Sequence, residues 1–173
     1  GPHFHVSTPF NKLPYKNYRV NNDYDTLDLT SISERFIPRT LFQTEKSTIH
    51  EYKSFVRGFD DQDYWLDYYK FGYRRMLGPS SERTLIGCII PQKWNHVSTV
   101  NSITFANIQN TIEFTAICSS TTLDFFLKVI GASDLHAVRL ITFPLGIADK
   151  YKPALFSRTL LLNCLTTHYA DLW

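Results

Sequence analysis

A short loop in the middle of the chain concentrates hydrogen-bonding side chains between two apolar stretches. The segment Pro91–His96 reads PQKWNH. Gln and Asn amides form paired hydrogen bonds with adenine, and Lys bonds guanine, so these residue types are able to distinguish base edges in the major groove of DNA. The candidate base-reading residues are Gln92, Lys93, Asn95 and His96. Trp94 would wedge or pack there, and the competing interpretation is a surface hairpin loop with Trp94 buried beneath it.

Basic residues upstream of this loop are the second set of candidates. Lys70 and Arg74 share one face of a predicted helix at positions i and i+4, and Arg75 follows directly. Cationic side chains on one face are suited to phosphate contacts, which supply most of the non-specific affinity for DNA. The alternative interpretation is a solvated helix face beside Asp67.

Arg83 precedes a predicted strand and is either a DNA contact or a structural partner of Glu82 or of a backbone carbonyl, with the structural role favoured. Residues 63–100 carry five basic and three acidic side chains, so the whole formal net charge of +2 arises there. Such a small surplus does not indicate a polybasic nucleic-acid-binding protein, and it affects binding only if the cations cluster on one face.

Other residue patterns do not indicate catalysis or metal binding. His3 and His5 alternate along a predicted strand without accompanying cysteines or a carboxylate cluster, which is more typical of two-sided packing than of a metal site. No nucleophile elbow or comparable local arrangement is visible in the sequence. We therefore expect no catalytic residue and no metal ligand in this chain.

The cysteines are predicted to be small core residues. Cys88, Cys118 and Cys164 are far apart and embedded in apolar runs, without the spacing of a disulfide framework or a metal site. Free thiols indicate a reducing, cytoplasmic compartment. No apolar stretch approaches the roughly 18 residues that a membrane-spanning helix needs, so no membrane contact is expected.

The spacing of apolar residues predicts the elements that position these side chains. Predicted helices cover Asp63–Leu77, Ile108–Ile130 and Ala154–His168, the last with Pro153 in its first turn. Predicted strands cover Thr84–Ile90, His96–Ile103 and Val138–Phe143. Ser119–Thr122 are poor residues for a helix interior, so a bend or two abutting helices are expected there. This order without regular βαβ alternation predicts an α+β fold, a mixed β-sheet core packed by helices.

The two ends of the chain differ in composition. Residues 1–62 are rich in Pro, Asn, Asp and Tyr, which predicts an extended irregular arm with short strand-like pieces at His3–Thr8 and Tyr24–Leu29. Residues 63–173 are predicted to form the core with its C-terminal helix. At 173 residues the chain is expected to be one structural unit with this arm attached.

The element order of Glu82–Leu145 resembles that of the target recognition domains of DNA methyltransferases and restriction-modification specificity proteins. Sequence pieces spread over nearly the whole chain extend the resemblance. They are HVSTPFNKLP (His5–Pro14), YDTLDLT (Tyr24–Thr30), FIPRT (Phe36–Thr40), YRRML (Tyr73–Leu77), ERTLIGCIIP (Glu82–Pro91), LDFFLK (Leu123–Lys128) and LLLNCLTTHYADLW (Leu160–Trp173). In number and order they resemble the C-terminal region of the large adenine methyltransferases of phage-defence systems, the PglX-like and DISARM-type enzymes, which are relatives of single-chain type IIG restriction-modification proteins.

The resemblance implies sequence-specific recognition of double-stranded DNA in the service of adenine-N6 methylation. The catalytic partner would be a methyltransferase domain of the same polypeptide that binds S-adenosylmethionine, with or without a fused endonuclease, and other defence-system subunits would be further partners. This chain has no NPPY motif and no Gly-rich turn, so we expect it to bind no methyl donor and to transfer no methyl group. The alternative function is a protein-interaction or scaffold domain of a defence complex that does not read DNA.

Overall fold

Strands and helices are mixed along the described chain, as expected for the α+β class. The computed structural model describes residues 2–4, 12–14, 24–26, 28–36, 40–43, 51, 58–60, 62–96, 98–131 and 133–173. Its strands are β1 Pro2–Phe4, β2 Lys12–Pro14, β3 Tyr24–Thr26, β4 Thr40–Gln43, β5 Lys70–Arg74, β6 Gly87–Ile90, β7 Asn95–His96 and β8 Val100–Ile103. Its α-helices are α1 Ile108–Cys118, α2 Thr121–Val129, α3 Ala137–Leu140 and α4 Lys152–Asn163. Stretches of 3-10 helix cover Trp65–Asp67, Asp149–Tyr151 and Thr167–Leu172.

An antiparallel sheet of order β6–β5–β8 lies at the centre of the core. In its register Gly72 of β5 lies opposite both Cys88 and Ser102. Phe71 and Tyr73 are stacked on one face with ring centroids 5.8 Å apart, and they pack in the same buried cluster as Phe114 of α1. Burial of these rings removes a large apolar area from water, which makes this face a main source of stability.

The predicted helix Asp63–Leu77 is wrong. The chain forms a 3-10 turn followed by β5, because its buried aromatic side chains recur at every second residue, at Tyr69, Phe71 and Tyr73. A period of two belongs to a strand, and β5 is paired on both sides. Met76, which lies after β5, is 56% exposed.

The two strands predicted to follow are confirmed in part. The predicted strand Thr84–Ile90 contains the shorter β6, which ends directly before Pro91. The predicted strand His96–Ile103 is divided between the end of β7 and the whole of β8, with a turn at residues 98 and 99. β7 pairs in parallel with β1, so it belongs to a second sheet of order β4–β1–β7.

The long segment Ile108–Ile130 consists of two abutting helices, as expected. Ser119 and Ser120 separate α1 from α2, and the Ser120 hydroxyl oxygen accepts a hydrogen bond from the Leu123 amide at 3.2 Å. A serine in this position caps the first turn of the following helix. Gly131 then turns the chain with a φ of 63°, which lies in the left-handed region that favours glycine after a helix end.

The predicted strand Val138–Phe143 is wrong. The chain forms α3 and a turn there, in which Leu140 and Phe143 are buried while Val138 and Ile141 are 70% and 74% exposed. Side chains three residues apart therefore share an environment, which is the periodicity of a helix and not of a strand. The central sheet contains β5, β6 and β8, and the segment Val138–Phe143 is not part of it.

The last predicted helix is confirmed with a different end. Pro153 lies in the first turn of α4, where its missing amide hydrogen costs nothing. The helix ends at Asn163 instead of His168, and a 3-10 segment begins at Thr167, the second residue of the β-branched pair Thr166 and Thr167.

The first part of the chain forms short strands in the described residues. β1 and β3 coincide with the beginnings of the strand-like pieces predicted at His3–Thr8 and Tyr24–Leu29, and β2 pairs with β3 in an antiparallel ladder. Residues 5–8 and 27 lie outside the described residues. The division between residues 1–62 and 63–173 stays a prediction.

Candidate nucleic-acid interface

The predicted DNA-contacting residues lie in three places. The loop Pro91–His96 follows the end of β6 that is paired with Lys70, whereas Arg74 and Arg75 lie at the other end of β5. Because a strand rises about 3.3 Å per residue, the two ends of β5 are about 13 Å apart. Arg83 precedes β6 and contacts the junction of α1 and α2. The candidates therefore do not form one cluster of cations.

Lys70 is buried, with 0% of its surface exposed. Its Nζ donates hydrogen bonds to the carbonyl oxygens of Tyr68 at 2.7 Å and Trp65 at 3.4 Å, and it lies 4.5 Å from the centroid of the Trp65 ring. Burial lowers the pKa of Lys70 from 10.5 to about 7, although the nearby Asp67 carboxylate acts in the opposite direction. The helix face that Lys70 was predicted to share with Arg74 does not exist, and the ammonium is not accessible to a phosphate in this conformation.

Lys93 fastens the loop to the turn that precedes β5. Its backbone amide donates to the Leu66 carbonyl at 2.7 Å, and its ammonium forms an ion pair with the Asp67 carboxylate. Its φ of 65° lies in the left-handed region, where a residue other than glycine is held by its surroundings. The loop backbone therefore has a defined shape, while the Lys93 side chain remains 63% exposed.

Trp94 packs beneath the loop, as the competing interpretation of this segment expected. Trp94 and Asn95 are only 6% and 9% exposed. The Trp94 ring meets the His168 ring edge-on with centroids 5.0 Å apart, which ties the loop to the C-terminal 3-10 segment. Neither Trp94 nor Asn95 presents a surface to a base in this conformation, so the prediction that they contact DNA loses its geometric basis.

His96 also takes part in internal contacts. Its Nε2 lies 2.9 Å from the Ser102 hydroxyl oxygen, and its ring meets the Trp65 ring edge-on at 5.7 Å. These contacts fix the imidazole against the central sheet. Within the loop, Lys93 is the predicted base-reading residue with an exposed side chain, whereas Gln92 and His96 are half-buried.

Arg74 and Arg75 differ in their surroundings. Arg74 ends β5 with an exposed side chain. Arg75 Nε lies 3.3 Å from one carboxylate oxygen of Asp134, without an aligned hydrogen bond, and His136 Nε2 lies 3.8 Å from the other oxygen. Because the Arg75–Asp134 pair is partly exposed, we expect it to contribute under 1 kcal/mol, about the worth of a surface ion pair. A phosphate could replace Asp134 as a partner of Arg75 at little cost.

Arg83 contacts a backbone carbonyl, one of the two structural partners predicted from the sequence, and the carboxylate beside it is that of Asp124 and not of Glu82. Its Nη2 donates to the Ser119 carbonyl at 2.9 Å, and its Nε lies 3.7 Å from Asp124. The Asp124 carboxylate is buried and accepts hydrogen bonds from the amides of Thr84 and Leu85, both at 2.8 Å. Arg83 and Asp124 therefore join the approach to β6 to the start of α2.

Two buried acidic residues were missed by reasoning from the sequence. Asp124 holds the residues before β6, and Glu113 of α1 accepts hydrogen bonds from the amides of Gly146 and Ile147 at 2.6 and 2.8 Å. Both lie on helices among apolar neighbours, and that position is the only local signal that an acidic side chain is buried. Each binds backbone amides, so each is explained by structure and not by catalysis.

The three cysteines are free and buried, as predicted, and burial raises the pKa of all three thiols, that of Cys164 to about 12. Within the described ranges, no group of His, Cys, Asp or Glu side chains is arranged to hold a metal ion. Among the same residues, no helix is both long and apolar enough to cross a membrane.

Comparisons with protein-family models, with curated proteins and with solved structures found no match to this chain. The function is therefore argued from the residues and their geometry.

Proposed function

We propose that this chain recognises double-stranded DNA as the target recognition part of an adenine-N6 DNA methyltransferase of a restriction-modification or phage-defence system. The observation that carries the proposal is the loop Pro91–His96, whose backbone is held by Lys93 and which presents the exposed Lys93 ammonium beside the half-buried Gln92 amide. A preorganised loop loses little conformational entropy when it enters a groove, which is the condition for direct reading of base edges. The ordered sequence pieces that resemble such enzymes support the same function.

A division of roles within the chain follows from the positions of these polar side chains. Gln92 and Lys93 at one end of β5 would read bases, whereas Arg74 and Arg75 at the other end would contact phosphates. A separation of about 13 Å along the strand corresponds to roughly four base-pair rises of 3.4 Å, so both groups are able to contact one duplex. Arg83, Trp94, Asn95 and His96 would support the surface from behind it.

Methyl transfer to adenine would take place in another domain and not in the residues described here. S-adenosylmethionine and the flipped adenine would be bound by a methyltransferase domain of the same polypeptide, while this part grips the duplex. Further defence-system subunits are proposed as partners of the complete enzyme, and the cytoplasm as its compartment.

The test is the methylation motif of the complete polypeptide, read by sequencing methylated sites. We expect Gln92→Ala to relax the motif at one position, with a cost of about 1–3 kcal/mol on the preferred site alone. Arg74→Ala should instead weaken binding to all sequences alike and reduce the salt dependence by about one ion. Arg158→Ala, which removes an exposed arginine of α4, is the matched control and should change neither. An unchanged motif together with unchanged affinity in Gln92→Ala and Arg74→Ala would contradict the proposal.

A protein-interaction role is the second candidate, and exposed apolar side chains on α2 favour it. Phe125, Phe126 and Val129 are 68%, 50% and 66% exposed, at the spacing that places them on one side of the helix. Under this alternative, Phe125→Ser should abolish association with a partner subunit and leave the methylation motif unchanged. Under DNA reading alone, the same variant should behave like the wild type in both measurements.

A further inference from the structure

We propose that Lys70 is a positioning residue that sets how firmly the loop Pro91–His96 is held against the turn at Trp65–Asp67, and that loss of a proton from Lys70 tightens this attachment. We name Leu66, Asp67, Lys70 and Lys93 the loop clamp. The inference rests on the proposed function only in what it means for DNA binding, because the clamp itself consists of contacts within the chain.

The loop clamp has an outer and an inner part. In the outer part, the Lys93 amide donates to the Leu66 carbonyl at 2.7 Å and the Lys93 ammonium pairs with Asp67. In the inner part, Lys70 Nζ donates to the Tyr68 carbonyl at 2.7 Å and lies 4.5 Å from the Trp65 ring centroid. Lys70 therefore contacts the turn Trp65–Asp67 from the inside, while Lys93 contacts the same turn from the outside. Any change that removes Lys70 from its buried position also loosens the loop.

The buried ammonium lacks a carboxylate of its own. One oxygen of Asp67 is paired with Lys93, and the other accepts the Tyr64 amide at 3.2 Å. In the described part of the chain, no acidic oxygen lies within ion-pair distance of Lys70 Nζ. Of the charged groups that face Lys70, Asp67 favours its protonated form and Lys93 disfavours it, while the His96 ring lies across the Trp65 ring. Two carbonyls and one aromatic face compensate only part of the cost of burying the charge.

The direction of the effect follows from linkage. With the loop clamp closed the pKa of Lys70 is about 7, whereas in an opened, solvated clamp it returns toward 10.5. The open state therefore binds more protons than the closed state between these two values, so the closed state gains stability as the pH rises through this window. Below about pH 7 Lys70 is protonated in both states, so the free-energy difference between the open and the closed clamp no longer changes with pH.

Amide hydrogen exchange of the intact chain tests the proposal. The readout is the protection factor of the Lys93 amide, corrected for intrinsic exchange, measured by NMR at pH values from about 7.5 to 9.5. We expect protection in the wild type to rise by up to about tenfold per pH unit, the effect of one proton. Lys70→Met keeps the apolar stem but has neither the charge nor the donors to the Tyr68 and Trp65 carbonyls, so it should give protection that does not depend on pH. Lys70→Arg stays charged throughout and should give low protection without pH dependence.

Lys128→Met is the matched control. Lys128 also donates to two carbonyl oxygens, those of Ser81 and Glu82 at 2.9 and 2.8 Å, but it is partly exposed and lies away from the loop on α2. This variant should retain the wild-type pH dependence at the Lys93 amide. Should Lys70→Arg fail to fold, the wild type and Lys70→Met still decide the question.

The same pH dependence in Lys70→Met as in the wild type would overturn the loop clamp. DNA affinity of the complete polypeptide, measured across the same pH range, tests the proposed function separately. If amide exchange behaves as expected while neither the wild type nor Lys70→Met binds DNA, the loop clamp stands and the proposed function fails. If both the wild type and Lys70→Met bind DNA but the Lys93 amide of Lys70→Met keeps the pH-dependent protection, the loop clamp fails and DNA binding stands.

Discussion

The Tyr169 hydroxyl donates a hydrogen bond to the Ile89 carbonyl oxygen at 2.8 Å, which joins the C-terminal 3-10 segment to β6 at the edge of the central sheet. Tyr169 is 2% exposed, and burial raises its pKa well above the ordinary value. Its ring is stacked on Tyr69, with centroids 6.4 Å apart. The last residues of the chain thus cover a strand edge that would otherwise present backbone groups to solvent or to another chain.

Tyr169→Phe should lower the free energy of unfolding by about 1–2 kcal/mol, because the ring remains while the buried Ile89 carbonyl loses a donor. Urea unfolding with an unchanged m-value measures the effect. Tyr151→Phe is the control, since Tyr151 is 58% exposed, and it should leave the midpoint unchanged. Equal midpoints for wild type and Tyr169→Phe would show that the hydrogen bond contributes nothing to stability.

Asp124→Ala should lower the free energy of unfolding by about 2–3 kcal/mol, because the amides of Thr84 and Leu85 are left without an acceptor inside the protein. Thermal unfolding measures this loss. Asp149→Ala removes an acidic side chain that is 93% exposed and should change stability by less than about 0.5 kcal/mol. A similar small effect for both variants would contradict the structural role of Asp124.

Gly72→Ala should destabilise the sheet by about 1–3 kcal/mol through overpacking. A Cβ atom at this position would lie 2.3 Å from Ile90 Cδ1 and 2.8 Å from Ile90 Cγ1, in the middle of β5. The double variant Gly72→Ala with Ile90→Ala makes room for the new methyl group, so it should lose less stability than the two single variants added together. Strict additivity of the two losses would rule out this contact as the cause.

Lys70→Met should remove a pH dependence of global stability. Between about pH 7 and 10.5 the unfolded chain binds a proton at Lys70 that the folded chain has lost, so the contribution of Lys70 to the free energy of unfolding should rise with pH by up to about 1.4 kcal/mol per unit. Denaturant unfolding at about pH 7.5, 8.5 and 9.5 measures this contribution as the difference in the free energy of unfolding between wild type and Lys70→Met. Burial raises the pKa of Tyr69 and of the three thiols, but these groups are the same in both proteins and cancel in the difference. A difference that stays constant with pH would mean that Lys70 keeps its proton in the folded state.

Local interactions made several elements predictable from the sequence. The end of β6 before Pro91, the break between α1 and α2 at Ser119 and Ser120, and the beginning of α4 near Pro153 all depend on residues within four positions of one another. A proline ring and a serine cap act in the same way in any tertiary context. The burial of the cysteines followed from their apolar neighbours.

The candidate site was predictable only as a set of residue types. Lys93 is exposed and Gln92 half-buried, but nothing local distinguishes them from Trp94 and Asn95, which are buried by contacts with distant segments. Lys70 is the clearest case, since a lysine is ordinarily exposed and only the approach of Trp65 and Tyr68 encloses it.

The sequence by itself determined the mixed α and β class, the helix break and the chain turns, because these depend on backbone preferences of neighbouring residues. Only the tertiary structure decided that Lys70–Arg74 is a strand and Ala137–Leu140 a helix. Both segments are short and apolar at spacings that suit either form, so their own propensities are weak. Partners about 15 to 30 residues away, in β6 and β8, supply the hydrogen bonds and the buried area that select the strand.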